Sequence, residues 1–230
     1  MNLNRTVSCI IPAHNEEKSI SATLQAVLGA GDILKEIIVI DDGSTDKTKE
    51  IVKEFKNIRF LINEKNLGKS GTVASGIKES TGDYVMFLDA DLMGLNSSNI
   101  ISLITPILRD EADVVISMRT NTPVWMRWFG FDSMSGERIF PKGVLDQNLQ
   151  AISNLRSYGL EVFTNRLIIN NRLRVKTVKL DNITNPTKWG KKSFWQGIKG
   201  ELLMWRDLFK TVSFFEFVGQ HIKIRRLLIK

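Results

Sequence analysis

From residue 7 to about residue 117, short apolar runs alternate with longer stretches in which apolar residues recur every three or four positions. VSCII (7–11), EIIVI (36–40), IRFLI (58–62), YVMFL (84–88) and DVVIS (113–117) are brief, rich in β-branched residues and almost continuously apolar. That pattern predicts strands buried on both faces. EEKSISATLQAVLGA, DKTKEIVKEF, KSGTVASGIKES and SSNIISLITPILRD have the length and period of helices. Alternating β and α at this spacing predicts an α/β fold, a mostly parallel sheet flanked by helices.

Beyond residue 118 the regularity fades. Residues 123–143 form a long irregular stretch with aromatics, Gly and Pro; SYGLEVFTNRLIINNR reads as a helix, LRVKTVKL as a further strand, and the last forty residues as C-terminal amphipathic helices. No internal repeat or low-complexity linker interrupts the chain.

In open α/β sheets ligands bind outside the carboxyl ends of the strands. Here those ends read PAHNEE, DDGSTD, DADLMG and MRT, so polar and ionisable residues gather at one edge. Asp89 and Asp91 follow the strand YVMFL, separated by the small Ala90. Carboxylates held this close repel, and a divalent cation relieves the repulsion; a site with so few protein oxygens suits Mg²⁺ or Mn²⁺ completed by substrate phosphates and water. Asn15 and the acids after it, and Ser44 or Asp46, have the alternative task of capping the helices that follow. Asp41 and Asp42 stand at a strand end, where a carboxylate accepts an imide N–H or a ribose hydroxyl. Lys69, after Gly68 at a helix start, is placed to meet phosphate. The spacing is not that of a Walker A loop, and no GxGxxG dinucleotide fingerprint follows the first strand.

Charge changes the picture in one respect. Residues 1–150 carry 16 Lys and Arg against 20 Asp and Glu, whereas residues 151–230 carry 16 against 5, so the net charge of +7 belongs to the last third. A basic tail points to phosphate or to an anionic surface, the alternative being a solvated helical face. In FFEFVGQHIKIRRLLIK aromatic and aliphatic residues mix with Lys and Arg, as in a helix lying at a membrane interface; the alternative is a helix packed on the sheet. Trp125, Trp128 and Phe129 pose the same choice between a lipid-facing flap and core. No window reaches the ~18 apolar residues of a membrane span. The single Cys9 permits no intrachain disulfide and lies in a core strand. The expected location is cytoplasmic, peripheral on the cytosolic face of a membrane.

VSCIIPAHNEE, EIIVIDDGSTDKT, NLGKSGTVASGI and GDYVMFLDAD, in this order over roughly the first 120 residues, resemble the family 2 glycosyltransferases of the GT-A fold. The resemblance implies a nucleotide-sugar donor, a UDP- or GDP-hexose. Pro12, Ala13, Asn15, Glu16 and Asp42 would then line the base and ribose site with Asp41 close by, and Asp89 and Asp91 would be the metal and diphosphate motif. It also divides the chain into a catalytic unit, 1–190, with a donor half (1–120) and an acceptor half (121–190), and a basic helical tail, 191–230.

Within that family VVISMRT, SGERIF, YGLEVFTNRL and NPTKWGKKSFWQG look like a variant of the polyprenyl- or dolichyl-phosphate hexosyltransferase pattern. This implies phosphate-binding roles for Arg119, Arg138 and one of Lys188, Lys191 or Lys192, where Lys replaces the branch's usual Arg. A phosphate monoester is ionised near neutral pH and attacks without a base, whereas a hydroxyl needs one. No Glu-Asp dipeptide occurs in the chain. Asp132, Glu137 and Glu161 are the candidate bases, Glu161 foremost, with capping or ion pairing as its other reading. His14 sits in the nucleotide loop, and neither it nor His221 has metal-ligand spacing.

The expected reaction is metal-dependent transfer of a hexose, with inversion, to a polyprenyl phosphate at a membrane. The alternatives are a soluble phosphorylated acceptor, a glycan or glycolipid hydroxyl, a nucleotidyltransferase, and a nucleic-acid-binding protein. The acidic loop PAHNEE argues against the third and the acidic crevice against the fourth.

Overall fold

The computed structural model of the protein describes residues 5–120, 122–156, 158–181, 183, 206 and 208–229. The apolar runs form β1 (Val7–Ala13), β2 (Glu36–Asp41), β3 (Arg59–Ile62), β4 (Tyr84–Phe87) and β5 (Val114–Arg119). Between them lie α1 (Ile20–Leu28), α2 (Thr48–Lys53), α3 (Gly68–Glu79) and α4 (Ser97–Leu108), each inside the stretch whose period predicts it or within a residue of it. The stretch 123–143 is less irregular than its sequence suggests, for it contains α5 (Val124–Phe129) and β6 (Arg138–Pro141). Then come α6 (Lys142–Asp146), α7 (Leu149–Ser153), α8 (Gly159–Asn170), β7 (Val175–Leu180) and α9 (Phe214–Arg225).

The seven strands form one sheet in the order β3-β2-β1-β4-β6-β5-β7. β6 is antiparallel to both β4 and β5, and the other pairings are parallel. The expected mostly parallel sheet is therefore found, with one reversed strand that local pattern could not disclose. Four residues that begin with Arg and end with Pro show neither alternation nor an apolar run.

Alternate residues of each strand serve opposite layers. Cys9, Ile11, Val39, Met86, Val115 and Ile139 pack with Leu24 of α1 and Leu103 and Ile107 of α4. Ile10, Ile38, Ile40, Phe87, Ile116 and Phe140 pack on the other face with Val73 and Ile77 of α3 and Ile168 of α8. Two-sided burial is why the strands read as unbroken apolar runs. Cys9 is part of this core, and burial pushes its thiol pKa well up.

α9 turns Phe217, Gln220, His221 and Ile224 inward and leaves Phe214, Phe215, Ile222, Lys223, Arg225 and Arg226 exposed. After it the chain pairs with the start of β7, where Val175 N–H donates to the Leu227 carbonyl at 3.0 Å and Ile229 N–H to the Val175 carbonyl at 2.9 Å. Among the described residues no helix is long and apolar enough to cross a membrane. Lys188, Lys191 and Lys192 lie outside the described residues.

Gly76 of α3 faces β1 and β2 so closely that a Cβ there would lie 2.6 Å from Ile10 Cγ2 and 2.9 Å from Ile40 Cδ1. Both isoleucines are fully buried. Gly76→Ala should lower stability by about 1–3 kcal/mol, because overpacking outweighs the helix-propensity gain of about 1 kcal/mol. A rise in the denaturant midpoint would contradict this packing.

Candidate active site

In-register pairing of β1 with β2, up to Ala13 opposite Asp41, releases two loops side by side at the carboxyl edge of the sheet. They are bound together by side chain to main chain contacts. Asn15 N–H donates to Ser44 Oγ at 3.0 Å, Glu16 N–H to Thr48 Oγ1 at 2.8 Å and Glu17 N–H to Asp46 Oδ2 at 3.1 Å, while Asn15 Oδ1 accepts from Thr45 N–H at 2.9 Å. Asn15 adopts a left-handed φ of 58°, which its short amide tolerates better than most side chains.

Asp42 joins this pair of loops to α3. Its Oδ1 accepts from Leu67 N–H and Asn63 Nδ2, and its Oδ2 from Gly68 N–H, each at 2.8 Å. The carboxylate satisfies amides at the helix start that have no partner within the helix. Lys69 is thereby set at the crevice floor. Its ammonium lies 2.8 Å from Asp89 Oδ1 and 3.1 Å from Glu161 Oε1. Burial works against that cation, but the two carboxylates outweigh it and hold its pKa above the ordinary lysine value.

The loop after β4 is held at two points: Leu88 N–H donates to the Ile10 carbonyl at 3.1 Å, and the buried Thr23 Oγ1 to the Ala90 carbonyl at 3.0 Å. Gly136 closes over Asp89, where an added Cβ would sit 2.4 Å from Oδ2. Asp89 and Asp91 have opposite electrostatics. Burial opposes the Asp89 charge, yet Lys69 and then Arg119 keep its pKa low. Burial, Asp89 and Glu16 push Asp91 up to about 6, against a smaller opposing effect of Arg119.

The resulting crevice, about 270 Å³, is lined by Pro12, Ala13, Glu16, Asp42, Lys69, Asp89 and Asp91 together with His14, Thr72 and Ala90. Most of the donor residues expected from the sequence thus converge. Asn15 borders a neighbouring cavity with Glu16, Glu17 and Asp46. Asp41 is fully buried behind the crevice, where its Oδ2 accepts the Gly43 and Ser44 amides at 3.1 Å. It shapes the loop.

In the second half, Arg119 donates to Glu137 Oε2 at 2.9 Å; Ser117 and Ser135 hydroxyls donate to the same oxygen at 2.7 and 3.0 Å. Burial disfavours the Arg119 cation, but Glu137, Asp89 and Asp132 outweigh it and raise its pKa. Glu137 is therefore an anchor for Arg119. Asp132 is buried and accepts from Thr122 Oγ1 at 2.7 Å and Met134 N–H at 3.0 Å, an arrangement that holds its own loop. Arg138 departs from the expected phosphate ligand. It is 1% exposed, and its guanidinium donates to the Ser133, Ser135 and Glu161 carbonyls, Thr164 Oγ1 and Asn165 Oδ1. Burial lowers its pKa in spite of the surrounding acids. An Arg so placed ties β6 to α8 and offers the crevice little. Glu161 does reach the site through Lys69, and its Oε2 is buried without a hydrogen-bond partner among the described residues.

Sequence reasoning passed over Thr72 and Gly136. The first stood inside a quoted helix with nothing to distinguish it, and the second marks a backbone approach visible only once β6 lies beside β4.

The residues fit a divalent cation. Asp91 is a carboxylate stranded among like charges, and Asp89 already holds a cation in Lys69. Among the described residues no three His, Cys, Asp or Glu side chains gather as a complete metal site, so the diphosphate and water would supply the remaining ligands.

A mostly parallel sheet carrying a two-aspartate motif and paired, cross-linked loops at its carboxyl edge is the GT-A class of nucleotide-sugar transferase domain. The chain belongs to glycosyl transferase family 2, whose pattern matches residues 8–169. It is 42% identical over 88 residues to the poly-β-1,6-N-acetyl-D-glucosamine synthase of Staphylococcus epidermidis and 40% to that of Staphylococcus aureus strain COL, covering 37% of this chain. The chain spans about a fifth of the length of these curated relatives. The fold is similar to that of glucosyl-3-phosphoglycerate synthase from Mycobacterium tuberculosis in complex with Mn²⁺, UDP and glucosyl-3-phosphoglycerate, with a TM-score of 0.71 and 23% identity over 90% of this chain and 78% of the other. A second structure of that enzyme, with Mn²⁺, UDP-glucose and glycerol 3-phosphate, gives a TM-score of 0.70 at 23% identity, over 90% of this chain and 79% of the other.

The raised Asp91 pKa has a consequence for stability. In the unfolded chain the carboxyl ionises near 3.8, whereas in the folded chain it keeps its proton to about 6, so folding loses stability as pH rises between these values. Asp91→Asn should therefore stabilise the chelator-treated protein at neutral pH by about 1 kcal/mol after allowance for solvent screening. That corresponds to a Tm rise of about 2–4 °C. The gain should vanish near pH 4, and an equal gain there would refute the electrostatic origin.

Proposed function

We propose that the chain is the catalytic domain of a metal-dependent hexosyltransferase that moves a hexose from a UDP- or GDP-sugar to a phosphate-bearing acceptor at the cytosolic face of a membrane, a polyprenyl phosphate above all. The observation that carries the reading is the convergence of Lys69, Asp89 and Asp91 on one crevice beside the loops that follow β1 and β2. Base and ribose lie against Pro12, Ala13 and His14, with Asp42 holding the loop register. The diphosphate extends toward Lys69 and the aspartates. Asp89 and Asp91 would hold Mg²⁺ or Mn²⁺, which neutralises charge on the departing diphosphate when bound. Lys69, kept cationic by Asp89 and Glu161, brings a further positive charge to that leaving group. An acceptor phosphate oxygen forms the new bond to the anomeric carbon, and the bond to the diphosphate breaks with its electron pair leaving on the nucleotide.

Two observations support a phosphate-bearing acceptor near a membrane. The similar folds hold phosphorylated small molecules, glucosyl-3-phosphoglycerate and glycerol 3-phosphate. Trp128 is 78% exposed and Phe215 87%, and Lys223 and Arg225 of α9 are exposed together with Arg226 directly after it. Aromatic side chains mixed with cations suit an anionic bilayer surface. Transfer to a glycan hydroxyl is the second reading, favoured by the Staphylococcus relatives and by the unpartnered Glu161 Oε2, which would take the hydroxyl proton.

Transfer from UDP- and GDP-sugars should require Mn²⁺ or Mg²⁺, cease with a chelator, and fall by about a hundredfold or more in Asp91→Ala. Product formed with a short-chain polyprenyl phosphate but not with the matching alcohol supports the leading reading. Product with oligosaccharide alone moves the assignment to the hydroxyl acceptor, and absence of nucleotide-sugar binding defeats both.

A further inference from the structure

At the carboxyl ends of β5 and β7 lies a second cavity, about 530 Å³, whose lining includes Arg119, Arg127, Lys179, Asp181, Thr120 and Thr177. It shares an edge of the sheet with the donor crevice, because β5 and β7 run parallel and pair Met118 with Lys179 and Arg119 with Leu180. Arg119 connects the two: its charge acts on Asp89 and Asp91, and its side chain lines this second cavity.

The cavity holds three cations against one carboxylate. Arg119 has Glu137 as its partner, but among the described residues neither Arg127 nor Lys179 makes an ion pair. Arg127 is nevertheless fixed in place. Its Nε donates to the Thr122 carbonyl at 2.8 Å and its Nη2 to the Thr120 carbonyl, which leaves part of its donor fork uncommitted. α5, which carries it, ends at Gly130 in a left-handed φ of 86°, and the Gly130 carbonyl accepts from Thr177 Oγ1 of β7 at 2.8 Å. That latch sets Arg127 of α5 and Lys179 of β7 on the same cavity. An oriented guanidinium and a mobile ammonium in one concavity match a doubly charged, multi-oxygen anion better than a single carboxylate. A phosphate monoester carries about −1.5 to −2 at neutral pH. The volume exceeds that of a bare phosphate and leaves room for the group esterified to it.

We propose that this cavity is the subsite for the acceptor's phosphate monoester, read by Lys179 and Arg127, with Arg119 in its wall on the side toward Asp89 and Asp91. The assignment rests on the transferase reading above. The chemistry is common to a lipid-linked and a soluble phosphate. α5 presents Trp128, 78% exposed, beside Arg127, so an acceptor with an apolar tail would find aromatic surface next to its phosphate.

Lys179 is the residue to change, because it is exposed and makes no described hydrogen bond whose loss would disturb the fold. Isothermal titration of the full chain, with Mn²⁺ and saturating UDP or GDP filling the donor crevice, should show binding of citronellyl phosphate or glycerol 3-phosphate but not of citronellol. Lys179→Ala should weaken the phosphate by about tenfold or more, Lys179→Glu further, and Lys179→Arg should recover most of it. Preference for citronellyl phosphate assigns a lipid-linked acceptor and preference for glycerol 3-phosphate a soluble one; both support the subsite. Nucleoside diphosphate binding that survives while phosphate binding is absent, or is indifferent to Lys179, overturns the subsite alone. If neither UDP nor GDP binds, the transferase reading is overturned and, with it, the acceptor assignment.

Discussion

The ammonium of Lys69 is the point on which the catalytic edge depends. It reaches Asp89 after β4 and Glu161 at the start of α8, so one cation joins the first 120 residues to the second half of the chain. Without it, Asp89, Asp91, Glu16 and Glu161 would form an acidic concavity with no compensating charge at its floor. Its place is set in turn by Asp42, which binds the first amides of α3. Carboxylate, helix start and ammonium form a relay that ends on two carboxylates, and among the described residues Asp91 and Glu16 are left without an ion pair.

That residual charge connects stability with binding. A carboxyl pushed up to about 6 by burial and by like charges is a local cost of folding that a bound cation would remove. Sites that bind metal and phosphate commonly keep such imbalance, since a crevice neutralised internally has less to gain from a ligand. The second half of the edge is balanced differently. There Arg119 is matched by Glu137, Arg138 is absorbed by carbonyls and amides, and the uncompensated charge is positive, on Arg127 and Lys179. The sheet thus presents an acidic patch for a metal and a basic patch for an anion, side by side, with Arg119 between them.

Much of this was legible along the chain because it rests on local order. The β-branched runs, the helical periods between them and the clustering of polar residues after each run identified the donor half and its aspartates. Lys69 and Glu161 were both recognisable as candidates, but nothing in their spacing, 92 residues apart, said that they meet. Arg138 shows the opposite failure. The family resemblance implies a phosphate ligand at this position, and only the antiparallel insertion of β6 between β4 and β5 reveals that the side chain is enclosed by protein acceptors.

Sequence alone determined the class of fold, the edge on which polar and ionisable residues gather and the family, because hydrophobic period and motif order are properties of contiguous residues. Tertiary structure decided which of the charged residues face the crevice and which are consumed within the fold. It also decided that α5, read from sequence as irregular, brings Arg127 to β7 and Lys179. The physical reason is that charge pairing and burial are set by distances across the sheet, between segments separated by 20 to 100 residues, where a one-dimensional pattern carries no information about approach.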